Sequence, residues 1–435
     1  MPVLRPERSA PRRVRLSQAG PTDMNRAAPQ PGHNPGLSYR ALLRIDAVGN
    51  LLLAASLARL AERMLGLSVV LYALQRFQSP QLAGWVAFAA MAPGLLVGPL
   101  AGALLDRIGA ARAIALDMAC SAGCIVVLGA LCLARIDSAG SLLSLVGLYA
   151  LSNPLSAAGV RTLLPNLVPA AALDRVNALD TSIHATVDVS GPALAGALFG
   201  FAGPAPTLLA IAGLYASACI ALLPAIRTLP RRLPAWRDGL LADAVAGIAY
   251  VLRHKALRTL SIAYALYQVA WGILLVAVPV SVTQASGGGA RTDLLVGGLW
   301  AISGVAGGIG ALLAGHRGKP GRERAMMAFG MWLTPLAIYP LGVAFGLPGL
   351  CLGLALVGFL AGPIDVGVLS LRQRCTDPAW LGRVMAVSIS LNLSGAPIGA
   401  ALGGVMLAWS VPGAFAVAAL ACLSGACATR WLPRR

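Results

Sequence analysis

Twelve long apolar segments are the feature that most constrains what this chain can fold into. A helix needs about 20 apolar residues to cross the hydrocarbon core of a bilayer. Several of the segments, such as 82–105 and 294–315, contain no ionisable residue. We therefore expect an all-α membrane protein with twelve transmembrane helices. The predicted spans are 51–76, 82–105, 114–134, 142–160, 181–202, 207–226, 259–283, 294–315, 325–346, 348–371, 384–408 and 411–429.

The composition argues against a soluble domain. Hydrophobic residues make up 57% of the 435 residues and charged residues only 11%, whereas soluble domains are about 25% charged. A soluble fold of this length lacks the interior to hide so much apolar side chain. The lipid bilayer is therefore the expected surroundings of most of the chain.

The basic residues predict how the spans are oriented. If the N-terminus is cytoplasmic, 29 of the 34 Lys and Arg fall in cytoplasmic segments, and only Arg76, Arg135 and Arg291 fall in outer connections. This asymmetry follows the positive-inside rule, so we expect a multi-pass protein of the inner (plasma) membrane with both termini in the cytoplasm. The net charge of +18 is accounted for by these short basic runs, and no nucleic-acid partner is expected.

The two halves of the sequence look like copies of one six-helix unit. At an offset of 208 residues, Gly102-Ala-Leu-Leu matches Gly310-Ala-Leu-Leu and Leu173-Asp-Arg-Val matches Leu381-Gly-Arg-Val. Parallel repeats related by a pseudo-two-fold axis along the membrane normal are a transporter architecture. The predicted organisation is a disordered basic cytoplasmic tail (1–40), an N-terminal six-helix bundle (41–226), a cytoplasmic linker (227–258) with an amphipathic helix over 239–252, a C-terminal six-helix bundle (259–430) and a short cytoplasmic tail (431–435).

Two motifs make the chain resemble the major facilitator superfamily. The loop after the second span reads Gly102-Ala-Leu-Leu-Asp106-Arg107-Ile-Gly109-Ala-Ala-Arg112, which is similar to the superfamily signature Gly-x-Leu-Ala-Asp-Arg-x-Gly-Arg-Lys with its basic end reduced. Gly191-Pro192 and Gly196 in the fifth span resemble the Gly-Pro motif of its antiporters. The stretch from Arg161 through Asn177-Ala-Leu-Asp180 is similar to its bacterial drug- and siderophore-exporter branches.

The signature loop is expected to act as a conformational latch. Asp106 lies at a helix end, where it can meet the positive N-terminus of the helix that begins near Arg383, and Arg161 is its expected cation partner. The resemblance implies that this pair closes the cytoplasmic side and breaks when the halves rock. A solvated loop turn is the alternative interpretation. The second copy has Ala314 at the aspartate position.

The first span carries three charges near mid-depth. Arg59, Glu62 and Arg63 cannot precede the span, because the apolar run that follows them is too short to cross the bilayer. Arg59 and Glu62 share a helix face, so one interpretation is a self-neutralising pair. In the other, Glu62 binds and releases a proton, or the second arginine attracts an anionic substrate.

Further candidates for proton coupling lie in other spans. His184 and Asp188 are four residues apart on one helix face and are spaced to form a relay pair; alternatively, the histidine points to water. Asp365 follows Gly362-Pro363, and a break at mid-membrane typically lines a cavity. Asp117 is expected in the cytoplasmic loop network.

A stripe in the seventh span is a candidate for substrate contact. Tyr264, Tyr267, Gln268 and Trp271 follow helical spacing, which is also typical of ordinary packing. The resemblance implies that the seventh and tenth helices line the central cavity, where Asp365 would meet a cation or a proton. Asn153 in the fourth span is a weaker candidate of the same kind.

The motifs of other membrane machines are missing from the sequence. A nucleotide-driven pump needs Gly-x4-Gly-Lys-Ser/Thr, and an intramembrane protease of the His-Glu-x-x-His kind needs that motif; neither occurs. The eight cysteines have no partners for a zinc site, so no metal or cofactor is expected. The favoured function is a monomeric, proton-coupled exporter of small amphipathic compounds. An uptake or exchange carrier for an organic anion and a non-transporting membrane sensor or scaffold are the alternatives.

Overall fold

The chain folds into a series of long helices. The computed structural model describes residues 42–168, 172–228, 240–317, 322–342, 345–377 and 381–432, so the predicted tail 1–40 lies outside the described residues. Within these ranges the regular secondary structure is helical. The main helices are α1 (Asp46–Phe77), α2 (Pro80–Ile108), α3 (Ala110–Ala134), α4 (Ala139–Leu167), α5 (Leu173–Ala202), α6 (Pro204–Thr228), α7 (Leu240–Arg253), α8 (Lys255–Ser286), α9 (Ala290–Arg317), α10 (Glu323–Gly342), α11 (Gly346–Cys375), α12 (Leu381–Leu393), α13 (Gly395–Leu407) and α14 (Val411–Ala428).

Short polar signals set where the helices begin and end. α2 begins at Pro80 because the side chain of Ser79 accepts the N–H of Leu82, 3.1 Å away, and a proline in the first turn needs no donor. Ser138 and Ser141 cap α4 reciprocally. Between α2 and α3, Gly109 has a φ of +87°, a conformation that is strained for any residue with a side chain.

Ten helices in the described part of the chain are long and apolar enough to cross a membrane. They are α2, α3, α4, α5, α6, α8, α9, α11, the stretch Ser390–Leu407 that joins the end of α12 to α13, and α14 with the short turn that follows it. α1 is outside this set and carries the charged trio Arg59, Glu62 and Arg63; α10 is outside it and contains Pro335 and Pro340. The multi-pass helical prediction is confirmed, and the count of twelve spans stays a prediction.

The predicted span 384–408 is interrupted by one residue, Ser394. The chain forms α12 up to Leu393 and starts α13 at Gly395, with Ser394 between them. The physical reason is Pro397, which has no N–H to donate to the carbonyl of Leu393 in a continuous helix. In α13 the same proline falls in the first turn, where a missing donor is tolerated.

The predicted amphipathic segment of the linker forms helix α7. It packs on α8 and α12, and Val251 joins Leu257, Cys375 and Val384 in a small apolar cluster. The location of α7 on the inner membrane surface stays a prediction.

The same set of helix pairings occurs in both halves of the chain. In the first half α1 packs on α5 and α6, α3 on α4 and α6, and α2 on α4. In the second half the corresponding pairs are α8 with α13 and α14, α10 with α11 and α14, and α9 with α11. This correspondence is the structural counterpart of the sequence repeat.

Four glycines, here called the glycine seal, allow close backbone contact between the halves. A Cβ built on Gly84 of α2 would lie 2.5 Å from the carbonyl oxygen of Ala400 and 2.7 Å from the Cα of Gly404, both in α13. One built on Gly196 of α5 would lie 2.7 Å from the Cα of Gly297 in α9. Small residues allow such backbone approach. All four glycines are near the end of the molecule where α1 leads into α2, which we call the sealed end.

Candidate transport cavity

A cavity of about 690 Å³ lies between the two halves, within the size range of small-molecule sites. Helices α1, α4 and α5 of the first half and α8, α9 and α11 of the second contribute most of its lining. Most of the residues singled out from the sequence are brought together here: Glu62, Arg63, Asn153, Asp188, Pro192, Tyr264, Tyr267, Gln268, Trp271 and Asp365. Arg59 and His184 lie in a neighbouring space described below.

The first-half wall of the cavity is charged. Arg63 Nε of α1 lies 2.7 Å from Asp188 Oδ1 of α5, and each side chain is about half exposed. Asn153 of α4 donates to Glu62 Oε1 at 3.2 Å. The charges on this wall therefore have polar partners on neighbouring helices.

The Gly-Pro motif of α5 is what brings α1 close enough for these contacts. A Cβ built on Gly191 would overlap the Cβ of Arg63, so a larger residue there would push α1 away. Pro192 lines the cavity, and Gly196 belongs to the glycine seal. One short stretch of α5 thus contacts both α1 and α9.

The second-half wall combines one carboxylate with aromatic rings. Tyr264 of α8 donates its hydroxyl to Asp365 Oδ1 of α11 at 2.6 Å, and Asp365 is exposed to the cavity. The ring centroids of Tyr267 and Trp271 are 6.5 Å apart, and those of Trp271 and Trp300 are 6.0 Å apart. These spacings fit edge-on and tilted aromatic packing.

A second space of about 80 Å³, the small pocket, lies inside the first half. It shares Glu62 and Asn153 with the large cavity. Its other polar lining residues are Arg59, Asp117, Ser156, Arg161, His184 and Tyr215. Arg59 Nη1 lies 2.6 Å from Asp180 Oδ1 of α5.

Three predicted relationships are corrected by these contacts. Arg59 pairs with Asp180 rather than with Glu62, and Asp188 pairs with Arg63 rather than with His184, whose Nδ1 lies 3.8 Å from the carboxylate of Asp180. Sharing a helix face brings side chains near one another, but groups on the adjacent helix here offer better-placed charges. Asp117 is not in a loop network: it is 2% exposed, lines the small pocket and accepts a hydrogen bond from Ser121.

The predicted latch is described only in part. Arg107 and Arg112 are exposed, and Gly109 forms the turn between α2 and α3. Gly102 and Asp106 lie within α2, but the side chain of Asp106 lies outside the described residues. Its pairing with Arg161 therefore stays a prediction, and the structure places Arg161 at the small pocket.

Sequence reasoning missed three residues that matter here. The predicted spans leave Asp180 just before the fifth span and Asp293 just before the eighth, whereas both lie within helices. Asp293 is 2% exposed and accepts a hydrogen bond from Gln75 of α1 at 2.7 Å, across the two halves. Trp300 completes the aromatic wall. The helical spacing of Arg59 and Arg63 is a signal that two acids should face them.

Comparisons with known proteins agree with this architecture. A sequence model described as the Major Facilitator Superfamily matches residues 51–319. The "Uncharacterized MFS-type transporter y4rN" of Sinorhizobium fredii (strain NBRC 101917 / NGR234) is 46% identical over 91% of this chain and 97% of its own length. The "Multidrug efflux pump Tap" of Mycolicibacterium fortuitum is 26% identical over 82% of this chain and 88% of its own.

Solved transporter structures share the fold. A mutant of the nucleoside transporter NupG superposes with a TM-score of 0.73 at 12% identity, covering 88% of this chain and 99% of that one. A POT family transporter in complex with 5-aminolevulinic acid gives a TM-score of 0.68 at 12% identity, over 87% and 94%. With the match to the family model and the 46% identical relative, these findings lead to one conclusion: the chain belongs to the major facilitator superfamily and is a transporter, not an enzyme.

Proposed function

We propose that this transporter exports small amphipathic cations in exchange for protons, by alternating access of the large cavity to the two sides of the membrane. The observation that carries the proposal is the charge of the cavity lining. Glu62, Asp188 and Asp365 face it with one arginine, Arg63, among the described residues, which leaves two negative charges in excess when all are ionised. A cation is the ligand that best offsets such an excess.

The aromatic wall supports the amphipathic part of the substrate. Trp271, Trp300 and Tyr267 offer apolar faces opposite the charged first half. Aromatic faces attract cations at short range, most strongly when water is excluded. The similarity to a multidrug efflux pump favours export of such compounds.

An organic-anion carrier is less well supported. It would need an arginine free to meet the substrate, but Arg63 is paired with Asp188 and Arg59 with Asp180. An anion would have to displace a carboxylate that is already 2.6–2.7 Å from the guanidinium.

We propose the twelve-span arrangement in two six-helix bundles as the membrane topology, with α1 and α10 included and α12 and α13 forming one broken span. The repeated pairings of the two halves support it. With both termini cytoplasmic, as the distribution of Lys and Arg favours, the sealed end faces outward. The bacterial relatives support the inner membrane as the location.

Among the candidates for proton coupling, Glu62 and Asp365 are the best placed. Both face the large cavity and are held by neutral donors, Asn153 and Tyr264. Asp188 faces it too but is held by Arg63, and His184 faces the small pocket. A carboxylate that binds either a proton or a cationic substrate, but not both, couples the two flows in opposite directions.

Ethidium uptake into everted membrane vesicles, driven by an imposed pH gradient, tests the proposal. We expect Asp365→Asn to weaken ethidium binding about tenfold, the effect of losing roughly 1.4 kcal/mol of attraction. We expect Glu62→Gln to abolish the dependence on the gradient, and Asp377→Asn, an exposed carboxylate outside both cavities, to behave as wild type. If ethidium uptake depends on the pH gradient in both cavity variants as it does in wild type, Glu62 and Asp365 do not couple protons to transport. Absence of flux for ethidium and a wider panel of cations and anions would favour a sensor or scaffold.

A further inference from the structure

We propose that Glu62 and Asp117 share a single proton across the small pocket, and that this pocket is a proton exit separate from the substrate cavity. The inference rests on the proposed cation-for-proton exchange and assigns Asp117 as a further proton-carrying residue. With this arrangement, substrate occupies the large cavity while the proton leaves through the small pocket.

The position of Glu62 is the first support. Its side chain lines both the large cavity and the small pocket, whereas Asp117 lines only the small pocket. Asp117 is 2% exposed and accepts a hydrogen bond from Ser121 at 3.3 Å. The pocket is polar on several sides and, at about 80 Å³, has room for on the order of five waters. Water in a pocket of this kind can carry a proton between the two carboxyl groups.

The charge balance of the pocket is the second support. Arg59 is neutralised by Asp180, so Glu62 and Asp117 are left with Arg161 as the remaining cationic lining residue in the described part of the chain. Two carboxylates against one guanidinium leave a net negative charge in the small pocket. One shared proton removes it, because two nearby carboxyl groups resist ionising together.

The other groups around Glu62 and Asp117 leave this count unchanged when His184 is neutral, because Arg63, beside Glu62, is itself paired with Asp188. On α4, Ser152, Ser156 and Tyr149 lie near Asp117, and Arg161 lines the same pocket. On α6 the pocket is lined by Tyr215, whose hydroxyl lies 2.9 Å from that of Tyr149. On α5, His184 lines the same pocket and adds no charge in its neutral form. Its own helix contributes Ser121.

The small pocket also extends toward the end of the molecule from which the proton has to leave, the end opposite the glycine seal. Asp117 is two turns from the start of α3, and Arg161 is near the end of α4 with an exposed side chain. Both positions are toward the end opposite the glycine seal, which is the cytoplasmic end in the proposed topology. A proton passes from the Glu62 carboxyl through water to the Asp117 carboxylate, so Glu62 becomes anionic as Asp117 becomes neutral. It then leaves from Asp117 to water beside Arg161.

Infrared difference spectroscopy of the full chain in lipid bilayers tests the shared proton without any substrate. We expect a protonated-carboxyl C=O band at neutral pH, identified by its shift in heavy water, that is missing in both Asp117→Asn and Glu62→Gln. Each variant leaves one carboxylate matched by Arg161, so neither retains the proton. Asp117→Glu should restore the band, and Asp377→Asn should leave it unchanged.

Two results would overturn the inference: a band that survives in Asp117→Asn, or wild-type protein whose spectrum lacks any band that these variants remove. If Asp117→Asn does not fold, the spectra of Glu62→Gln and Asp117→Glu still test whether the two carboxyl groups share a proton. A second readout is proton release on adding tetraphenylphosphonium, expected at about one proton per cation bound in wild type and lost in Asp117→Asn. A protein that shows the shared band but binds no cation would refute the proposed function and leave the shared proton standing.

Discussion

At the scale of single residues, the charges inside the helices are explained by partners on neighbouring helices. Arg59 and Arg63 of α1 lie four residues apart, and each meets an aspartate of α5. The Arg59–Asp180 pair is the more buried, with side chains 16% and 20% exposed. Removing one partner of such a pair leaves a largely buried charge without compensation.

Replacing one member of the Arg59–Asp180 pair with a neutral residue should therefore destabilise the protein more than replacing both. We expect Asp180→Asn to lower the free energy of unfolding by on the order of 3–5 kcal/mol, seen as a lower melting temperature in detergent. The double variant Arg59→Gln/Asp180→Asn should recover most of the loss. Equal destabilisation in the single and double variants would show that the pair does not act through its charges.

The aromatic wall leads to a second prediction at this scale. We expect Trp271→Ala to weaken ethidium binding about thirtyfold, because a desolvated cation–aromatic contact contributes about 2 kcal/mol. Trp85→Ala is the matched control, since Trp85 is 43% exposed on α2 and lines neither cavity. Fluorescence titration of purified protein measures both, and equal affinities would remove Trp271 from the substrate site.

The sequence alone predicts many of these residues but not their partners. Glu62, Asp188 and Asp365 are predictable because an ionisable residue inside an apolar segment is conspicuous. Their contacts are not, because helical spacing describes neighbours on one helix and says nothing about rotation against another. Asp293 escapes prediction for a related reason: helix α9 begins at Ala290, before its apolar stretch.

At the scale of helices, apolar length predicts where most elements begin and end. The predicted spans agree with the observed helices to within a few residues at most ends, because apolar length is a direct consequence of membrane thickness. The break at Ser394 is not predicted by apolar length, because Pro397 can be an interior proline or the start of a new helix.

Glycine also decides how closely helices pack, and two adjacent glycines of α9 offer a matched test of this effect. A Cβ on Gly297 would lie 2.9 Å from the Cα of Gly196, whereas a Cβ on Gly298 would meet no atom within 4 Å. We expect Gly297→Val to separate α5 from α9 and to shift the population toward opening at the sealed end. Spin-label distances between α5 and α9 measure the shift, and Gly298→Val should match wild type. Indistinguishable distances in the two variants would contradict a role for the seal.

At the scale of the whole molecule, the two halves repeat one set of pairings and touch through α2 with α13 and α5 with α9. The repeat is predictable from the 208-residue offset, whereas the pairings between halves are not, since they depend on the state of the transporter. Alternating access requires the contacts at the sealed end to part in each cycle.

Covalent closure of the sealed end should therefore stop transport. A Cβ on Gly200 of α5 would lie 3.2 Å from Leu294 Cγ of α9, so in a variant without the eight native cysteines we expect Gly200→Cys/Leu294→Cys to form a disulfide. Oxidation should abolish ethidium transport and reduction should restore it. The control is Gly129→Cys/Leu209→Cys, with the same 3.2 Å separation inside one half. Transport that survives oxidation of the first pair would exclude rigid-body opening at this end.

The glycine seal has a kinetic consequence. Where two backbones touch directly, no side chain has to change rotamer, break a salt bridge or regain a hydration shell before the surfaces come apart. The barrier to parting at these four residues then comes from lost dispersion contacts alone, each of them weak and short in range. We therefore expect the glycine contacts to part readily. The rate of opening is then set by the polar contacts around them, such as that of Gln75 with Asp293, and by the charged groups deeper in the protein.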